Sequence, residues 1–129
     1  MKNKKGITLI AVILLMTLLA ITSFSLITFV AEKIRLASAR ENEINAFYMA
    51  QAGIHYGIYR YRRSSSVRSG TYVLYPDRGF TWDIPTVSGS NITITSTGYS
   101  PKTGSNQIQK QLIATYNTTT RNFTSIGYN

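Results

Sequence analysis

Read as a string of apolar and polar positions, the 129-residue chain passes through three regimes. The first is residues 7–31, "ITLIAVILLMTLLAITSFSLITFVA", where no side chain is charged and only serine and threonine are polar. As a helix these 25 residues extend about 37 Å at about 1.5 Å per residue, against a bilayer hydrocarbon core of about 30 Å. The run is long enough to span a membrane. In the second regime, "EKIRLASARENEINAFYMAQAGIHYGIYRYRR" at 32–63, there is no proline and apolar residues recur at spacings of three and four. Ile44, Phe47, Ile54, Ile58 and Tyr61 share one face at 3.6 residues per turn, Tyr48 lies at its edge, and Ala46, Gly53 and Gly57 fall broadly opposite. The two regimes together predict one continuous helix from about Ile7 to about Arg63, roughly 85 Å long at the standard rise.

"SSSVRSG" then interrupts the periodicity. Serine hydroxyls compete with helical hydrogen bonds and Gly70 is expected to close a turn, so the helix should end near residue 63. Beyond it the period is two. "TYVLY" should end at Pro76, "FTWDI" at Pro85 and "NITITSTGY" at Pro101, and after the turn signal "KTGSN" the run "NQIQKQLIATYNT" alternates again. Ile92 and Ile94 share a face. In the fourth run either Ile108, Lys110, Leu112 and Ala114 or Gln109, Gln111, Ile113 and Thr115 could be the buried set. Short alternating runs between prolines and glycines predict an antiparallel sheet with one face to cover, and the amphipathic helix needs cover too. The expected fold is α+β: a long N-terminal helix, membrane-spanning in its first half, packed by its second half on a small antiparallel sheet. The expected divisions are 1–6, a cytoplasmic leader; 7–31, a transmembrane helix; 32–63, its amphipathic continuation; and 64–129, a strand-rich head.

Charge sets the orientation. Lys2, Lys4 and Lys5 stand on a stub too short to fold, and the positive-inside bias keeps such a stub in the cytoplasm, with everything after Ala31 on the other side. A cleaved secretory signal fits poorly. Its apolar stretch would be about 7 to 15 residues followed by a small-residue site, whereas here Ala37-Ser38-Ala39 lies beyond Glu32, Lys33 and Arg35. The formal charge of +9 becomes +6 without the three leading lysines, a basic surface of ordinary strength. With no cysteine, a disulfide or thiolate site is excluded, and a head this small must be stabilised by packing or by partners.

The residues offer little catalytic chemistry. His55 is the only histidine and lies beside the Ile54 and Ile58 stripe; Glu32, Glu41, Glu43, Asp77 and Asp83 show no metal-ligand spacing. Ser64, Ser65 and Ser66 have no base, and there is no glycine-rich phosphate loop. Asn91, Asn117 and Asn122 begin glycosylation-type triplets that an Asn/Thr-rich segment produces by composition. No enzyme activity, cofactor or metal is expected. Arg60, Arg62, Arg63 and Arg68 cluster at the expected helix end, where cations favour the helix dipole; together with the tyrosines they would also supply charge and stacking faces to DNA.

"KKG" before "ITLIAVILLMTLLAI", a helix continuing past the membrane, and a small strand-rich head resemble the type IV pilin superfamily, which includes the type II secretion pseudopilins. "NEINAFYMAQAGIHYGIYRYRR" narrows the resemblance to the PilX-like accessory pilins and GspK-like tip pseudopilins, with Gln51 where glutamate is usual; "ITITSTGYSPKTGSNQIQKQLIATY" is similar to their C-terminal hairpin. The resemblance implies that a prepilin peptidase cuts after Gly6 and methylates the new amino terminus at Ile7. It also implies partners: other pilin-like subunits, an inner-membrane assembly platform, and membrane lipid before assembly. Two positions depart from the pattern. Ile7 stands where phenylalanine is usual, and Ala11 stands where the fifth mature residue is usually a glutamate that pairs with a neighbour's free amine. A subunit without that carboxylate suits a tip or low-abundance accessory position in a pilus, secretion or DNA-uptake filament. The competing expectation is a single-span, membrane-anchored binding module with no filament role.

Overall fold

A computed structural model describes residues 3–75, 77–101 and 107–128. The expected "KTGSN" turn at 102–106, the strand end at Pro76 and Lys2 lie outside the described residues. The fold is α+β: one helix, α1 (Asn3–Arg63), followed by five strands, β1 (Ser69–Tyr75), β2 (Arg78–Ser88), β3 (Asn91–Ser100), β4 (Ile108–Asn117) and β5 (Asn122–Tyr128). They form one antiparallel sheet in the order β1-β2-β3-β4-β5, each strand paired with its sequence neighbours. Residues 1–38 and 39–129 form two compact units, and each is described by itself.

In the first unit α1 runs from Asn3, so the described part of the segment expected to be an unfolded stub, residues 3–6, is helical. Lysine is a good helix former, and an apolar helix can extend through it. From Gly6 through Ala31 the side chains are exposed.

In the second unit, residues 39–63 of α1 pack on the sheet. Phe80, Trp82 and Ile84 of β2, Ile92, Ile94 and Ser96 of β3, and Leu112, Ala114 and Tyr116 of β4 point to the helix and are buried. Leu112, Ala114 and Tyr116 decide which face of β4 is the inner one. The helix meets them with Ala46, Ala50, Gly53, Ile54, Gly57 and Ile58, all buried; Phe47 and Tyr61 are half-buried against the cluster. Two expectations about this face need correction. Ile44 is exposed, and Ala46, Gly53 and Gly57, expected opposite, lie in the middle of the contact.

The reason is close approach. At about 100° per residue, Ala46, Ala50, Gly53 and Gly57 fall within an arc of about 60° and make a seam without bulk. Opposite them Gly98 of β3 has no side chain either: a Cβ there would fall on the Ala46 carbonyl oxygen and the Ala50 amide nitrogen. A Cβ at Gly53 would strike Ser96 Oγ, and one at Gly57 would lie 3.0 Å from the Trp82 ring. Larger side chains belong at the flanks of such a seam, where Ile54, Ile58 and Phe47 sit.

Three further differences concern the strands. Gly70 belongs to β1, where it passes beneath the Trp82 indole, and does not close the turn. That turn is made by Ser64, whose amide bonds the Arg60 carbonyl at 2.9 Å and whose carbonyl accepts the Val67 amide at 3.1 Å. β2 does not stop at Pro85: a register shift between Asp83 and Thr86 accommodates the proline, while the preceding Ile84 amide turns to the Arg68 carbonyl at 2.7 Å. Finally, β5 was not expected at all. The β2–β3 hairpin closes through Gly89 at φ 58°, a conformation that favours glycine. The β4–β5 connection is capped by Asn117, whose Oδ1 accepts the Thr119 and Thr120 amides at 2.9 Å each.

Candidate functional site

The sequence places its candidate features in both units. In the first, the hydroxyls of the uncharged helix are bonded within the helix. Thr17 donates to the Leu14 carbonyl at 2.9 Å, Thr22 and Ser23 to Leu19 at 3.0 and 2.8 Å, and Thr28 to Phe24 and Ser25 at 3.2 and 2.9 Å. A hydroxyl bonded to its own helix makes no further demand on hydrocarbon. Around them Leu15, Leu18, Leu19, Phe24, Leu26 and Ile27 are each more than half exposed. The helix is long and apolar enough to cross a membrane. Where the run ends, Lys33 places its ammonium 5.2 Å from the centre of the Phe29 ring, a contact that keeps a charge beside an apolar surface.

Gly6 and Ile7 lie in the early turns of α1, with Ile7 exposed and nothing within 4 Å of a Cβ built at Gly6. Ala11 is exposed among Ile7, Ile10, Leu14 and Leu15, with no carboxylate anywhere in 7–31.

In the second unit, Arg60, Arg62 and Arg63 occupy the last turn of α1 and Arg68 immediately precedes β1. The ion pairs among the described residues are Arg78–Asp77 at 3.8 Å and Lys110–Glu43 at 2.6 Å, and none of the four arginines takes part. Arg63 donates to the Tyr59 hydroxyl at 3.2 Å. His55 is exposed, its ring edge-on to Phe123 at 5.7 Å. No three His, Asp or Glu side chains among the described residues could hold a metal ion. Asn117, one of the three glycosylation-type positions, is committed to the β4–β5 turn and also donates to Asn91 at 2.8 Å.

Sequence reasoning missed an apolar groove of about 550 Å³ beside the sheet, lined by Ile44, Phe47, Tyr48, Leu112 and Tyr128. Phe47 stacks on Tyr128 at 5.9 Å across it. At the rim the Lys110 hydrogen bond, and then its charge, hold the Glu43 carboxyl below its ordinary range. A depressed folded-state pKa adds stability that is complete at neutral pH and disappears as the pH falls through the folded value. The melting midpoint should therefore drop more for the wild type than for Glu43→Gln on acidification from neutrality to about pH 3, below the usual carboxylate pKa; equal drops would show that the pair contributes nothing.

Compared with protein-family models, curated proteins and solved structures, the chain matches none.

Proposed function

We propose that this chain is an accessory pilin-like subunit: anchored in the cytoplasmic membrane by 7–31, cut after Gly6, methylated at Ile7, and passed through an assembly platform into a filament of related subunits. The observation that carries the reading is the first half of α1. It presents exposed apolar side chains on every side, its bonded hydroxyls need no partner, and it continues as one helix into the seam that holds the sheet. Such a helix is equally at home in lipid and against other helices, which is what a subunit that moves from membrane to filament requires. Small residues along it, Ala11, Ala20 and Ser23, allow close helix approach.

The edges of the sheet support assembly as well. β1 and β5 are the outer strands, and neither "SGTYVLY" nor "NFTSIGY" contains a charge or a proline. Isolated proteins usually guard such edges; a subunit whose head is packed among neighbours has less need to.

Processing tests the proposal directly. Mass spectrometry of the protein from its native membrane should find a chain that begins at N-methylated Ile7. An uncut amino terminus in cells carrying an active prepilin peptidase would sink the pilin reading and leave a plain membrane-anchored binding module.

A further inference from the structure

At the end of α1 the structure specifies which tyrosines and arginines share one face. At about 100° per residue, Tyr56, Tyr59, Arg60 and Arg63 fall within an arc of about 100° on one face of the helix. Tyr56 reaches across to β1, its ring 5.5 Å from that of Tyr72, and lies 6.4 Å from the ring of Tyr59. Tyr72 in turn stacks on Phe80 at 5.6 Å and 21°, which anchors one of its faces. Tyr59 is 54% and Tyr72 42% exposed. The outcome is a short row of tyrosine rings with guanidinium groups at its end that have no carboxylate partner among the described residues.

Cations at a helix C-terminus favour its dipole whatever else they do. That explanation leaves much over. The Arg60 carbonyl is already bonded by the Ser64 amide, and Arg63 donates to a tyrosine hydroxyl. Arg60 and Arg63, three residues apart on one helix face, have no carboxylate partner among the described residues, and a bound polyanion would offset their like charges. Exposed rings beside them favour a polyanion that also presents flat aromatic faces.

We infer that the face formed by Tyr59, Tyr72, Arg60 and Arg63 binds single-stranded nucleic acid, the arginines taking phosphates and the tyrosines stacking on bases. Binding of this kind tolerates sequence, since every base has a face to stack. It does not depend on the filament reading, and its test is separate from amino-terminal processing.

The test uses the full chain in nanodiscs of uncharged phosphatidylcholine and a fluorescent oligothymidylate of about 16 nucleotides, the upper site size of a small single-strand-binding fold. Lys2, Lys4 and Lys5 are constant in every arm. Each phosphate contact adds about 0.7 to the slope of log affinity against log salt, so the double variant Arg60→Gln, Arg63→Gln should lose about 1.4 of that slope. Tyr59→Leu should weaken binding roughly five- to 150-fold, the range for one stacked base, with the slope unchanged. Tyr59 is exposed enough that its replacement leaves the core intact, which an unaltered circular dichroism melt would verify. Full affinity in Tyr59→Leu, or equal competition by inorganic polyphosphate, would overturn the assignment and reduce the site to charge alone. Preferential capture of vesicles rich in anionic lipid over the oligonucleotide would overturn it in favour of a membrane surface. No salt-sensitive binding at all would leave the arginines to the helix dipole.

Discussion

Gly98→Val is expected to abolish cooperative unfolding of the second unit, the largest stability effect of any single change considered. A Cβ at Gly98 meets the Ala46 carbonyl oxygen, the Ala50 amide nitrogen and the Met49 carbonyl carbon at 2.9 Å. These are helix backbone atoms. A flexible side chain could swing aside, but moving these atoms means breaking helical hydrogen bonds or lifting α1 from β3. Overpacking a core typically costs about 1 to 3 kcal/mol and occasionally more. Here relief would expose Ile54, Ile58, Ile92 and Ile94 together, each worth about 1.5 to 3 kcal/mol when fully buried. A small domain has only about 5 to 15 kcal/mol of net stability, so the valine should exceed what the fold can absorb. Chemical denaturation of the full chain in detergent, followed by Trp82 fluorescence, reads the outcome, because Trp82 is buried under the helix. Gly127→Ala is the control: a Cβ at that position meets only the Ile113 carbonyl oxygen, at an ordinary 3.9 Å, and should leave the midpoint nearly unchanged. A cooperative transition at the wild-type midpoint for Gly98→Val would mean that helix and sheet do not meet as closely as described.

That seam also explains where sequence reasoning succeeded and where it failed. Ile54 and Ile58 were legible because bulk at helical spacing marks a buried stripe, and both are buried. The centre of the contact was not legible, because hydrophobic periodicity weighs size and the centre is made of alanine and glycine. Ala46, Gly53 and Gly57 score as a weak face although they define the strong one. Their spacing of seven and four, read beside Gly98 in a strand, was the available signal. Ile44 misled for the complementary reason: it has the bulk and roughly the right angle, but it lines an open groove. In the sheet, alternation located β3 and β4 well. Pro85 was read as a terminator because proline lacks an amide, whereas a bulge removes the need for one. β5 is mostly exposed, so burial wrote no pattern into "NFTSIGY". Its place is set by a turn held through Asn117 and by backbone pairing to β4, which few side chains record.

The candidate membrane-length helix was the most legible element, since an uncharged run of 25 residues needs no tertiary context to be recognised. Ala11 gives the proposed pilin reading its sharpest test. If the alanine reflects a place at the filament tip, where no preceding subunit has to be met, Ala11→Glu should lower the amount of this subunit recovered in sheared filaments relative to the membrane-bound pool. The side chains around Ala11 are Ile7, Ile10, Leu14 and Leu15, none able to pair with a carboxylate. On insertion scales an acidic residue deep in a bilayer costs up to about 3 kcal/mol, which at about 1.4 kcal/mol per tenfold is a change of up to about a hundredfold in partition. Within a bundle of helices the same carboxylate, if unpaired, is again destabilising. A subunit of the filament shaft would behave oppositely, because each preceding neighbour offers a free amine at the matching depth and the pair would fix the register. A clear rise in the sheared fraction for Ala11→Glu, with labelling along the shaft and not at an end, would exclude the tip position and assign the chain to the shaft. A fall, with residual labelling at filament ends, is the result expected if the proposed accessory-pilin reading holds, since a buried carboxylate stabilises a helix bundle only where a neighbour's amine pairs with it.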